Sequence, residues 1–409
     1  MDELLNFSAR WLHPSVGLAS VQWSLLLAVA TVAGYLVQRY SGLPKMVGYS
    51  LAGAAAGLLG FGGAPWPLQG VGLFLVELGV ALALFEAGGR IALRWFRHNP
   101  MVLVQSVAES ALTWFAVYRV MLWLDAPARA AAALAVVAVA ASPMALTRVA
   151  ADARAAGPVT ERAIALTTLS SLYALTLGSA EAGLAQRPAS ASWLGTVAPM
   201  LTVLEILGVS IAMGALLALL LRLALRVMSP TSENTAILLL TLVAACTAIA
   251  THLGGCAPLA ALLGGVLLRH WHPRPWAWPR QLGAVSSLLT MLLFVLVCTV
   301  AAQAGWSGAA LALVAARLLA KAVGVCLGNA GSGASWRQAL WLSGALAPMS
   351  AVALLVASQF AAASAPEGAL IERVALPAIL LMELLGAALA ALALRRAGEM
   401  GRHPGRRQS

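Results

Sequence analysis

The sequence predicts an all-α polytopic membrane protein with about thirteen transmembrane helices. Of its 409 residues, 61% are hydrophobic and only 10% are charged, and the mean hydropathy is +0.87. The apolar residues form long stretches that are separated by polar residues, glycines and prolines. Soluble proteins of this length do not have such a composition, and the pattern is typical of consecutive membrane spans.

The second and ninth of these spans are too short to cross about 30 Å of hydrocarbon without local help. Between the third and fourth, Arg90, Arg94 and Arg97 share one face of a predicted helix, opposite an apolar face. This pattern indicates an amphipathic helix on the membrane surface and not a nucleic-acid site. The predicted spans cover residues 18–37, 44–60, 68–88, 101–124, 128–150, 161–180, 196–222, 234–253, 257–269, 283–304, 307–329, 337–360 and 372–394.

The basic residues test this division of the chain. With thirteen spans, one set of alternate loops holds four of the 26 Lys and Arg residues and the other set holds nineteen. Loops on the cytoplasmic side carry an excess of Lys and Arg. The sequence therefore predicts a protein of the cell (inner) membrane, with its N-terminus outside and its C-terminus in the cytoplasm.

Landmarks in the two halves of the chain predict an internal repeat. A proline, a phenylalanine and a second proline occur at 44, 85 and 143, and again at 258, 294 and 348. An odd number of helices separates the two sets, so the repeats have opposite orientations in the membrane. The prediction is a single membrane domain, 1–409, with a first repeat at about 44–180, a linker helix at about 196–222, a second repeat at about 257–394 and a short basic tail at 395–409.

The later proline of each half interrupts an apolar span, at Ser142-Pro143 and at Pro348. Proline removes a hydrogen-bond donor, and unwound backbone at membrane depth survives only against protein or a water-filled cavity. Paired broken helices are typical of ion and substrate sites in secondary transporters. We therefore expect two broken helices that cross near the middle of the membrane, whereas a kinked packing helix is the alternative for each proline taken alone.

Four stretches of the chain carry a family pattern: GLPKMVGYSLAGAAAGLLG (42–60), VELGVALALFEAGGRI (76–91), ASPMALTRV (141–149) and ARLLAKAVGV (316–325). They resemble the monovalent cation:proton antiporter superfamily, of the sodium/proton exchanger and glutathione-gated potassium efflux type. This resemblance implies a core domain with crossed broken helices, a homodimer, and a monovalent cation and protons as the transported species, without a cofactor.

The chain departs from the family at its acidic positions. The family places an acidic residue midway along the span after the first broken helix, where this sequence has Ser170 and Ser171. The second broken helix of the family commonly carries Gly-Glu after its proline, where Ser350 lies here. A hydroxyl binds a cation weakly but does not release a proton near neutral pH. The expected ion-binding core comprises Ser142, Pro143, Ser170, Ser171, Lys321, Pro348 and Ser350.

Charged residues at membrane depth are candidates for function. Lys321 matches the basic residue of the family's core domain, and either Glu109 or Glu383 is its candidate counter-charge or a substitute proton carrier; each is alternatively a structural carboxylate. Glu77 has an acidic counterpart in many family members. Arg317 lies one turn before Lys321, and we expect its side chain to extend towards the membrane edge.

These observations favour monovalent cation:proton antiport, with membrane lipid as the surroundings and no nucleic acid as a partner. Two alternatives stay open: a homologue that does not transport and acts as a sensor, and a transporter of organic anions attracted by Lys321 and helix N-termini. No nucleophile–base arrangement, metal-ligand spacing or phosphate loop occurs in the sequence, so an enzyme is not predicted.

Overall fold

The structure, a computed structural model, describes most of the chain as helix. In the described residues there is no β-strand, so the predicted all-α class is confirmed. Nine helical stretches of the described part are long and apolar enough to cross a membrane; the number of thirteen spans stays a prediction. The described residues are 16–60, 70–91, 93–185, 198–229, 231–271, 280–330, 332–349, 351–363 and 367–400.

Each predicted span corresponds to one helix, or to two helices separated by a break, and α4 corresponds to the amphipathic helix. The first half contains α1 (Val16–Ser41), α2 (Lys45–Leu58), α3 (Gly70–Arg90), α4 (Leu93–His98), α5 (Pro100–Trp123), α6 (Ala128–Val139), α7 (Pro143–Asp152) and α8 (Pro158–Ala185). Then follow α9 (Ala198–Val227), α10 (Glu233–His252), α11 (Ala257–Trp271), α12 (Arg280–Ala302), α13 (Gly308–Leu327), α14 (Trp336–Ala345), α15 (Ala351–Ala363) and α16 (Gly368–Arg396).

Proline fixes where several helices begin. Pro100, Pro143 and Pro158 are the first residues of α5, α7 and α8. The missing N–H of proline costs nothing in the first turn, and its fixed φ suits a helix. The two spans predicted to be short, α2 and α11, are 14 and 15 residues long.

The helices pack into two bundles. One contains α1–α3 and α9–α12, and the other contains α5–α8 and α13–α16. In the first bundle, α2 packs on α12 and α3 packs on α11, so each short helix of one half lies against a long helix of the other half. Glycine permits these close contacts: a Cβ atom added at Gly53 would overlap the backbone of Val295, and one at Gly265 the backbone of Phe85.

Candidate functional site

The two breaks lie in direct contact at the centre of the second bundle. Helix α6 ends at Val139 and α7 begins at Pro143, while α14 ends at Ala345 and α15 begins at Ala351. The backbone N–H of Ser142 in the first break donates to the carbonyl of Pro348 in the second, at 3.0 Å. The prediction of two broken helices that meet is therefore confirmed.

The Ser142 side chain caps the half-helix that follows the first break. Its Oγ accepts a hydrogen bond from the Ala145 N–H at 2.9 Å, which satisfies one free donor of the first turn of α7. Ser171, one of the two serines at the family's acidic position, donates its hydroxyl to the Ala141 carbonyl at 2.6 Å. Ser142 and Ser171 therefore hold the unwound backbone of the first break in place.

Arg317 on α13 binds the carbonyl ends of both broken helices. Its guanidinium donates to the carbonyl of Ala138 in the last turn of α6 at 2.9 Å and to that of Ala140 in the first break at 3.0 Å. It also donates to the carbonyl of Ala347 at 2.7 Å in the second break. The side chain is 0% exposed, so the expectation that it extends towards the membrane edge is wrong. A fixed cation at two helix C-termini neutralises their partial negative charge.

A buried ion pair lies next to the first break. The ammonium of Lys321 on α13 binds the carboxylate of Glu109 on α5, and the two side chains are 1% and 0% exposed. The Lys321 ammonium also donates to the carbonyl of Val139, the last residue of α6, at 3.3 Å. Of the two candidate counter-charges, Glu109 is thus the one bound to Lys321.

Glu109 supplies a carboxylate next to Ser170 on α8, a helix that offers only hydroxyl groups at this position. The second oxygen of Glu109, Oε2, accepts hydrogen bonds from Ser170 at 3.1 Å and from Ser110 at 2.9 Å. Ser170 lies on α8 at the position where the resemblance implies an acid, and a carboxylate from the neighbouring helix α5 reaches it. The prediction that Lys321 finds its partner in Glu109 or Glu383 is met by Glu109.

Two glycines bring α5 and α13 close enough for this ion pair. A Cβ atom added at Gly324 would lie 2.5 Å from Glu109 Cα, and one added at Gly328 would lie 2.6 Å from Gln105 Cα. Small residues four apart let helix backbones approach closely in membrane proteins. The Gly324 contact lies at the Glu109 backbone itself, less than one turn from Lys321.

The remaining predicted residues are not joined to the ion pair. Glu383 on α16 is 1% exposed, and its Oε2 has no hydrogen-bond partner in the described part of the chain. Glu77 lies on α3 with an exposed side chain, so it does not belong to the buried cluster. Ser350 lies outside the described residues.

A polar bridge between the two bundles was not predicted. Arg148 at the end of α7 donates to Ser286 at 2.8 Å and to Ser287 at 2.9 Å on α12. Asp152, one turn later, accepts the backbone N–H of Lys45 at the start of α2, at 3.3 Å. The partners of Arg148 and Asp152 lie more than 100 residues away in the chain, so no local pattern could identify them.

The site offers carboxylate, hydroxyl and carbonyl oxygens on buried residues, with an ammonium and a guanidinium as counter-charges. Such oxygens are suitable ligands for a small hard cation. Among the described residues, no group of three His, Cys, Asp or Glu side chains is placed to bind a metal ion.

Comparison with known proteins gives matches along most of the chain. The family model described as "Sodium/hydrogen exchanger, transmembrane" matches residues 27–395. The structure of the sodium proton antiporter MjNhaP1 from Methanocaldococcus jannaschii at pH 8 is 15% identical, covers 93% of this chain and 98% of that chain, and has a TM-score of 0.68. A second structure of that antiporter, from electron microscopy, is 16% identical, covers 95% and 100%, and has a TM-score of 0.76. A search of curated proteins finds no significant match.

Proposed function

Because the chain belongs to the transmembrane sodium/hydrogen exchanger family, we propose that it exchanges a monovalent cation for protons at the Glu109–Lys321 pair. Membership of this family makes the chain a multi-pass membrane transporter and not an enzyme. The observation that carries the proposed site is the buried ion pair itself, which contacts the end of a broken helix through the Val139 carbonyl.

Competition for one carboxylate explains the exchange. Without a bound cation, the Lys321 ammonium neutralises Glu109. A cation that enters binds the Glu109 carboxylate, with the Ser170 hydroxyl and the Val139 carbonyl as further oxygen ligands. Two positive charges at one buried carboxylate are costly, so Lys321 gives up its proton as the cation binds. When the cation leaves on the other side, Lys321 takes a proton from water there and binds Glu109 again.

The serines have a supporting role in this scheme. In the family the acid lies on the helix after the first break, whereas here Ser170 donates a hydrogen bond to the carboxylate that α5 supplies. The transported cation is sodium or potassium, and a comparison of the two salts in the same assay identifies it.

Of the two alternative functions, organic-anion transport is the less compatible with the site. It requires Lys321 and the half-helix N-termini to be available to a substrate carboxylate. Lys321 instead binds Glu109, and Ser142 caps the N-terminus of α7. A sensor that does not transport would keep the same ion pair, and flux measurements distinguish it.

The test measures proton movement in liposomes that contain the purified protein and a pH-sensitive dye. When sodium or potassium is added to wild-type liposomes, the cation should move across the membrane. Protons should then leave the compartment that the cation enters. Glu109→Gln and Lys321→Met should each abolish this cation-dependent proton movement, because each removes one member of the competing pair.

The matched controls are Glu372→Gln and Arg119→Met, since both side chains are exposed on helices of the same bundle. Both controls should retain wild-type flux. Wild-type flux that persists in Glu109→Gln and in Lys321→Met would place proton exchange elsewhere. Absence of flux in wild type with either salt would favour the sensor function.

We also propose an orientation and an assembly for the protein: N-terminus outside, C-terminus in the cytoplasm, and two copies in the inner membrane. The unequal distribution of Lys and Arg over alternate loops supports the orientation. A reporter that is active only in the cytoplasm should work after Ser409 and fail before Asp2. The dimer rests on the family resemblance, and the mass of the detergent-solubilised protein tests it.

A further inference from the structure

A second buried carboxyl lies apart from the ion pair, on the last helix. We propose that Glu383 on α16 is a second proton carrier of the transport cycle, separate from Glu109 and Lys321. This inference rests on the proposed function, because it requires that the protein moves cations and protons.

One oxygen of the buried Glu383 carboxyl lacks a partner in the described part of the chain. The Glu383 side chain is 1% exposed, and Oε2 has no hydrogen bond to any described residue. Helices α2 and α12, which pack against α16, also carry buried polar side chains, Ser50 and Cys298, both 0% exposed.

The buried cation Arg317 makes its hydrogen bonds to groups other than Glu383. The guanidinium nitrogens donate to carbonyls of the two breaks and contact the Met382 sulfur at 3.8 Å. No salt bridge reaches Glu383 from the described residues. An ionised carboxylate that is buried without an ion pair, and with one oxygen lacking a hydrogen bond, costs several kcal/mol. The arrangement therefore fits a carboxyl that holds a proton.

The helices packed against α16 are α2, α6, α7 and α12–α15. Among their described residues, Arg317 and Lys321 on α13 are the charged side chains that are fully buried, and both are bound to other groups.

Glu383 also lies where the two bundles meet. Leu380, one turn before it, packs with Cys298, Ala301 and Ala302 of α12 in a small apolar cluster separate from the main core. Helices α2 and α12 belong to the first bundle, and α16 belongs to the second. If transport moves one bundle against the other, Glu383 must pass this apolar contact, and a neutral carboxyl does so at far lower cost than a charged one.

The proton step is simple. On one side of the membrane a water molecule gives a proton to the Glu383 carboxylate, and an O–H bond forms. After the bundles have moved, the acid returns that proton to water on the other side, and the same bond breaks. No oxidant, reductant or other reactant takes part. Each cycle that the Glu109–Lys321 pair drives then carries the Glu383 proton in addition to the proton that Lys321 exchanges, so loss of that pair stops both.

The decisive experiment measures cation uptake and proton movement in parallel on the same liposomes and compares Glu383→Gln with wild type. We expect Glu383→Gln to keep cation-driven flux and to move one proton fewer per cation. Glu383→Asp, which retains a carboxyl, should restore the wild-type ratio, and Glu372→Gln on the exposed face of α16 should not change it. An unchanged ratio in Glu383→Gln overturns the proposal.

An infrared measurement does not depend on transport. Wild-type protein should show the C=O stretching band of a protonated carboxyl, and this band should be lost in Glu383→Gln but kept in Glu109→Gln. A wild-type spectrum that Glu383→Gln leaves unaltered refutes the proposal. If wild type moves no cation, the proposed function fails, and the infrared band still decides whether Glu383 holds a proton. If Glu383→Gln folds but loses all flux, the infrared band again decides whether Glu383 holds a proton.

Discussion

Removal of Arg317 should separate the two broken helices. The guanidinium makes three hydrogen bonds of 2.7, 2.9 and 3.0 Å to carbonyls of both breaks, and two longer ones of 3.4 and 3.5 Å. A hydrogen bond to a charged group contributes about 1.5–3 kcal/mol. The three short bonds alone therefore contribute about 5–9 kcal/mol before the cost of burying the guanidinium is subtracted.

Arg317→Met removes the desolvation cost of the charge together with these bonds, but it leaves buried carbonyls without a donor. We expect a net loss of about 3–5 kcal/mol in the free energy of unfolding, the range found when one partner of a buried charged network is removed. Arg317→Lys should lie between wild type and Arg317→Met, because an ammonium keeps the charge but lacks the planar fork that reaches carbonyls on two helices.

Reversible unfolding in mixed micelles of a mild detergent and sodium dodecyl sulfate, followed by tryptophan fluorescence, measures this loss. Arg119→Met is the matched control, since Arg119 is exposed on α5, and it should change the free energy by less than about 0.5 kcal/mol. An Arg317→Met protein within about 1 kcal/mol of wild type would contradict the argument, because a loss that small lies well below the range expected for a buried charged network.

Three further predictions test how the core is held together. Glu399→Gln should lower the free energy of unfolding by about 1–2 kcal/mol, and the same micelle assay measures this loss. At the start of α8, the Glu399 carboxylate accepts hydrogen bonds from the Thr160 N–H at 2.7 Å and from the Thr160 hydroxyl at 2.6 Å. Gly324→Leu should push α5 from α13 and abolish cation-driven proton flux, whereas Gly308→Ala, with no heavy atom within 4 Å of the added Cβ, should retain it. Ser142→Ala should cost about 1 kcal/mol in the micelle assay through loss of the α7 cap, and an unchanged stability would show that the cap is unnecessary.

The sequence alone determined the helical class and the positions of the two breaks. Apolar stretches of membrane-spanning length can be read directly along the chain, and proline removes a backbone hydrogen bond from a helix. Proline alone does not decide a break, since Pro377 lies inside the continuous helix α16. The breaks after Val139 and Ala345 therefore lie where Ser142-Pro143 and Pro348 predict them. The resemblance to the antiporter superfamily rested on stretches of this kind and is confirmed by the family match.

Only the tertiary structure decided which charges are paired. Glu109 and Lys321 are 212 residues apart in the chain, and Glu383 satisfied the same sequence criteria as Glu109. Which carboxylate binds Lys321 depends on how closely α5 and α13 approach each other at Gly324. The hydrogen bonds of Arg317 depend on the two breaks meeting on one side of α13. The free energy of an ion pair depends on distance and burial, and these follow from the packing of helices that are distant in sequence.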